Sequence, residues 1–259
     1  MPVLVPVLGK VHRDVRTYVI TALQADTLDP RYFPRRPALL PQLLQAVGDA
    51  DAASATLARM IAHDPVLAAD VLRLANSSLY RTTTAPVETI QRALVVCGTD
   101  ALRGLLATAM LQPVFRASRT NFPRFPRLLW ERTERAGRAA ELFAAKLCPA
   151  ERFEAQLLAL LNALGPLAVY GVAVDAYGRA PPRTVPSPHL CMGMIVALGQ
   201  HMSRRIARHW ALSRRLVAAL DRADGPLAAA LAAGELLATL SVLETHDLIT
   251  APQRAAAAP

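Results

Sequence analysis

Lysine is almost missing from this chain. Lys10 and Lys146 are the only two, so arginine carries nearly all of the positive charge. Cysteine is scarce as well. Cys97, Cys148 and Cys191 lie far apart and form no CxxC pair, which argues against a disulfide framework and fits a reducing cytoplasm. The same spacing disfavours a zinc site and leaves three small apolar side chains for packing. Aromatic residues make up 5% of the chain against 53% hydrophobic residues, so the core must be built mostly from Leu, Ala and Val. Strand-type alternation is absent, and these residues are good or tolerable helix formers. No apolar run reaches about 18 residues without a charge or a helix breaker, so a membrane-spanning helix is not expected. The opening MPVLVPVLGKVHRD has two prolines and no leading basic region, which makes it a poor signal peptide. G-x-S-x-G, P-loop and G-x-G-x-x-G motifs are all absent, which removes the common nucleophile elbow and phosphate cradles.

What is present is a large apolar inventory and a net charge of +9. At 259 residues the chain suffices for one large domain or two small ones. Charge is uneven: residues 116–215 hold more than half of the Lys and Arg residues but under a third of the Asp and Glu. Such a segment suits nucleic acid, a nucleotide or an acidic protein surface. No arginine block is interleaved with aromatics, so plain solubilising charge competes with that reading.

The most densely punctuated stretch is LARMIAHDPVLAADVLRLANSSLYRTTTAPVETIQRALVVCGTDALRGLL, residues 57–105. Leu67, Val71, Leu74 and Ala75 recur at helical spacing. Pro65 suits the first position of that helix and Asp64 its cap, while Asn76-Ser77-Ser78 suits its end. The next helix carries Val87, Ile90, Leu94 and Val95, with Glu88 expected in its first turn. Gly98 suits the position after it, and Thr99 is expected to cap the following helix, with Asp100 in its first turn.

Around this stretch the chain divides as follows. Residues 1–36 read as an N-terminal extension with a short helix from Val11 to Gln24. Residues 37–115 form a first helical lobe, in which Ser54 would cap a helix over Ala55–Ala62. Residues 116–126, basic and broken by proline, connect to a second helical lobe over 127–246. Residues 247–259 are a simple-sequence tail. The fold class expected is all-α and two-lobed.

The segment from Asp64 onward resembles the HDOD family, bacterial signalling output domains related to the HD phosphohydrolases. Asp64, Pro65, Leu67, Leu72, Asn76, Ser77, Tyr80, Thr89, Ile90, Ala93, Leu94, Gly98, Leu102 and Arg103 fall in order on that family's pattern, and the resemblance spans about residues 37–245. It implies a first helical bundle packed on a degenerate HD-like core. A working HD enzyme gathers histidines and aspartates around metal ions that activate water. Matched to that pattern, Arg132 stands where a histidine is usual and Asn162-Ala163 replaces the His-Asp pair. Gly199 fills another ligand position, and the later His-His pair falls near Ala223-Asp224. Arg132 would repel a divalent cation, and Asn162 and Ala163 remove two strong ligands. His63-Asp64 is literally an HD dipeptide, but it precedes Pro65 and belongs to the first-lobe pattern.

The resemblance therefore implies a non-enzymatic regulatory module without catalytic residues, metal or cofactor. It would act through a protein partner in a bacterial signalling pathway, with cyclic-di-GMP turnover as a family association. Asp64, Arg73, Asn76, Ser77, Tyr80 and Arg103 are the candidate partner-binding or motif residues. A purely structural role competes for each: Asn and Ser after a helix often satisfy backbone groups only. Nucleotide or nucleic-acid binding through the basic second lobe is the alternative, and a divergent phosphohydrolase is the third.

Overall fold

The computed structural model describes residues 9–25, 27, 29, 31–32, 36–45, 50–62, 65–78, 80, 86–112, 124–221 and 225–249. Among these the chain is all-α, with twelve α-helices and no strand. The first is α1 (Lys10–Gln24), which buries Val15, Val19 and Leu23, one residue per turn. Then come α2 (Leu40–Gln45), α3 (Ala50–Ala62), α4 (Pro65–Ala75), α5 (Ile90–Cys97) and α6 (Thr99–Leu111). The second series is α7 (Arg124–Leu147), α8 (Arg152–Asn162), α9 (Leu164–Gly178), α10 (Pro188–His209), α11 (Arg214–Leu220) and α12 (Pro226–Thr245).

Several ends obey local chemistry, and four differ from expectation. Pro65 does open α4, and Ser213 caps α11 by accepting from the Leu216 amide at 3.3 Å. At α5, Thr89 is the cap and accepts from the Arg92 amide at 3.2 Å, so Glu88 falls outside the first turn. Gly98 takes φ 77°, a left-handed value that glycine adopts without strain, and serves both as the end of α5 and the start of α6. Thr99 is thereby already helical and is not the cap. Helix α3 starts at Ala50, so Ser54 lies within it. Helix α7 begins at Arg124, three residues inside the stretch expected to be a connecting loop.

Packing stays within each of the two series of helices, with two exceptions. Helices α3 to α6 pack on one another, and α2 rests on α6. Helix α7 lies along α12 and α8, and α9 along α10. The first exception is α6, which also packs on α8 and so joins the two series. The second is α1, which returns to α9 and α10. Small residues set the closest crossings. A Cβ on Gly234 of α12 would come within 2.6 Å of the Ala140 backbone nitrogen in α7. A Cβ on Gly165 would run into the Gly199 carbonyl and the Ser203 amide of α10.

Among the described residues, two stretches are apolar enough by length and mean hydropathy to cross a membrane: Pro149–Gly178, which includes α8 and α9, and α12 itself. In the fold 72% of the first apolar window is buried inside the protein, so most of its apolar surface is used for packing between helices.

Candidate functional site

Four elements meet where the sequence places the altered ligand positions. From α7, Arg132 donates through Nε to Thr239 Oγ1 of α12 at 2.8 Å. The same guanidinium lies 3.9 Å from the Glu235 carboxylate, one turn back on α12. Asn162, at the end of α8, donates its side-chain amide to the other oxygen of Glu235. Thr239 in turn donates to the Glu235 carbonyl at 2.7 Å. The fourth element, α10, enters through Ser203, whose hydroxyl donates to the Asn162 carbonyl at 2.7 Å and accepts from the Gly165 amide at 3.1 Å. Ala163 is buried beside Asn162, and Gly199 sits one turn before Ser203, close to the Pro166 ring.

The chemistry of this cluster is self-contained. Glu235 is one of few buried charged residues, with 9% of its side chain exposed, so its negative charge needs a partner. Arg132 and the Asn162 amide supply one. The pair is neutral overall, and each carboxylate oxygen has a neighbour. Among the described residues no three of His, Cys, Asp or Glu come together. Among the described residues the side chains therefore do not fit a catalytic divalent cation: the one carboxylate there is already engaged, and a guanidinium stands within the same cluster; Ala223-Asp224 lies outside the described residues.

Glu235 was not singled out from the sequence. Its signal was there, since it is the lone charge within the apolar run Leu227–Leu243 of α12. A lone acid on a helix can equally face solvent, and only the packing of α12 on α7 decides that it faces inward.

Five of the six candidate partner residues are described, and they differ in exposure and in partners. Asp64 lies outside the described residues. Arg73 is exposed and bonded to Asp70 at 2.8 Å on its own helix. Asn76 is structural: its amide donates to the Leu72 and Val87 carbonyls, and its oxygen accepts from the Val87 amide, each at 2.8 Å. It thereby ties the end of α4 to the segment entering α5. The Ser77 hydroxyl beside it is buried with no hydrogen-bond partner among the described residues. Tyr80 is half-buried, and burial, helped by the negative charge of Glu141, pushes its phenol up from the ordinary value.

Arg103 lies elsewhere, in the joint between α6 and α8. Its guanidinium stacks 3.9 Å from the Phe153 ring centre and reaches Asp100 at 3.2 Å. Its Nε and one Nη are buried without a hydrogen-bond partner. Burial lowers its pKa, against the pull of Asp100 and Glu154.

With this geometry in hand, the comparisons are specific about family and silent about activity. The HDOD domain profile matches residues 33–226. Among solved structures, a protein from Shewanella amazonensis SB2B, provisionally named a metal-dependent phosphohydrolase, is similar with a TM-score of 0.64 at 17% identity, covering 95% of this chain and 87% of that one. An HDOD domain protein of unknown function from Geobacter sulfurreducens also gives 0.64 at 19% identity, with 88% and 79% covered. A second Shewanella amazonensis protein, provisionally named a phosphohydrolase, gives 0.54 at 21% identity, with 90% and 82% covered. At these identities the likeness is one of fold. No curated protein matches the chain.

Proposed function

Because this chain belongs to the HDOD domain family, related to the HD phosphohydrolases, we propose that it works as a non-enzymatic regulatory module that binds a protein partner in a bacterial signalling pathway. The observation that carries this reading is the cluster of Arg132, Asn162 and Glu235. Hydroxide generation needs a metal held by several convergent ligands with an open position. Here the corresponding volume is filled by an internal ion pair that ties α7, α8 and α12 together. The frame of a hydrolase is kept and its chemistry is replaced by structure.

On this reading the module is cytoplasmic and its output is recognition. Candidate contact residues are Arg73, which is exposed, and the turn carrying Ser77 and Tyr80, which Asn76 supports. Arg103 supports that half by anchoring α6 on α8. A connection to cyclic-di-GMP signalling rests on the family association alone. The test is elemental analysis of the purified protein, with turnover assays on nucleotides and cyclic dinucleotides in the presence of manganese, iron or magnesium. We expect no stoichiometric transition metal and no turnover. A bound metal, or turnover abolished by Glu235→Gln, would overturn the module and restore an enzyme.

A further inference from the structure

Resting on the partner-binding reading above, we propose that the corner where α10 meets α11 is a docking site for an acidic segment of a partner protein. Helix α10 ends at His209, and the chain turns through Trp210, Ala211 and Leu212 into α11. The turn leaves a cleft of about 300 Å³ lined by Arg208, Leu212, Arg214, Val217, Ala218 and Asp221. Leu212 and Val217 are partly buried against the core and give the cleft an apolar floor. Arg208 and Arg214 are exposed at its rim.

The arginines of this corner fall into two groups. Four have structural work. Arg204 pairs with Asp221, and Arg215 with Glu151. Arg205 donates to the Leu23 and Ala25 carbonyls at the end of α1. Arg36 donates to the Trp210 carbonyl at 2.8 Å. Arg208 and Arg214, the two at the cleft, make no ion pair among the described residues. Asp221, the acid of the cleft, is already neutralised by Arg204. Among the described residues the cleft therefore presents two guanidinium groups without an ion pair over an apolar floor. The positive field is felt nearby: burial, with the charges of Arg204, Arg205 and Arg208, lowers the pKa of His201 on α10.

The ligand chemistry follows. Guanidinium groups recognise carboxylates in a planar, two-pronged way. An apolar side chain between acidic residues would seat on Leu212 and Val217. Nucleic acid fits less well, because unspecific strand binding relies on aromatic platforms for the bases. None of the six lining residues is aromatic, and Trp210 is buried at 2% exposure.

The experiment uses the full chain and fluorescence anisotropy. The probe is a short labelled peptide of acidic pairs alternating with leucine. Its comparators are the same peptide with every acid changed to its amide, and a single-stranded oligonucleotide of similar length. The acidic peptide should bind in the micromolar range, and the Arg208→Glu/Arg214→Glu variant should weaken it at least about tenfold. Arg127→Glu, an exposed change on α7, should alter affinity less than about twofold, and the amide peptide should not bind. Both charge reversals lie at the surface, so unchanged melting will show that the variants are folded. No binding of the acidic peptide, equal binding by the double variant, or tighter binding of the oligonucleotide would each overturn the proposal. These results leave the metal and turnover tests of the module untouched, so the two readings fail separately.

Discussion

Asn76 is a side chain whose hydrogen bonds are fully accounted for. Its amide gives two of them and its oxygen receives a third; the two with Val87 bridge the end of α4 to that residue, and the one to Leu72 closes the last turn of α4. Truncation would leave the Val87 amide and carbonyl short of this partner, while the Leu72 carbonyl keeps the Asn76 backbone amide at 3.0 Å. Asn76→Ala should therefore cost about 2–3 kcal/mol. Urea denaturation would measure it, and a change below about 0.5 kcal/mol would show that water replaces the amide. The sequence made this role readable, because an asparagine directly after an apolar helical run is a common backbone partner. It did not reveal Val87 as the partner, because that residue lies eleven positions further along the chain. The altered ligand positions divide in the same way. Arg132 and Asn162 could be picked out by matching a pattern, whereas Glu235 became visible only when α12 was laid against α7 and α8.

Helix α1 shows the same limit at the scale of elements. Its range was legible to within a residue, since Val15 and Val19 keep helical spacing, but its destination was not. A segment that read as an extension is fastened to α9 through Asp175 and through a 3.0 Å hydrogen bond between His12 and Tyr177. Asp175 accepts from Tyr18 at 3.2 Å and from Tyr32, and pairs with Arg179 at 2.9 Å. Arg205 adds bonds to the last carbonyls of α1. Only Arg179 is a helical neighbour of Asp175; Tyr18 and Tyr32 lie more than a hundred residues away, so local patterning carries no trace of them. Burial alone would raise the Asp175 pKa, but the two tyrosine hydroxyls and Arg179 outweigh it and hold the group below its ordinary 3.8. A carboxylate with a depressed folded-state pKa stabilises above its unfolded value and loses that contribution as pH falls through the folded one. Asp175→Asn should thus lower stability by on the order of 1–2 kcal/mol near neutral pH. The gap in melting temperature between variant and wild type should close as pH drops below about 4. A gap that stays constant with pH would mean the charge of Asp175 contributes nothing to holding α1.

For the whole molecule, the open question is whether the two series of helices unfold together. Their composition gives no hint, because both are rich in leucine and alanine, and the proline-broken stretch between them invites a division. Helix α6 argues against independence. It packs on α2, α3, α4 and α5, and it also packs on α8. It buries Leu102, Leu106 and Leu111 completely, and Arg103 stacks its guanidinium on Phe153 of α8. The Gln156 side chain of α8 occupies the space that a Cβ on Gly104 would need. Unfolding of the first series alone would strip α8 of its cover and expose that surface, which couples the two halves. The protein carries its own reporters. Trp130 and Trp210 are its only tryptophans, and both belong to the second series, whereas far-ultraviolet circular dichroism follows every helix. We expect the tryptophan fluorescence and circular dichroism transitions in urea to coincide, as a single cooperative unit requires. If ellipticity falls at lower urea while fluorescence holds steady, the first series unfolds by itself and α6 does not transmit stability. If the curves superimpose and Arg103→Ala moves both to lower urea by the same amount, the joint between α6 and α8 is the element that makes the chain one folding unit.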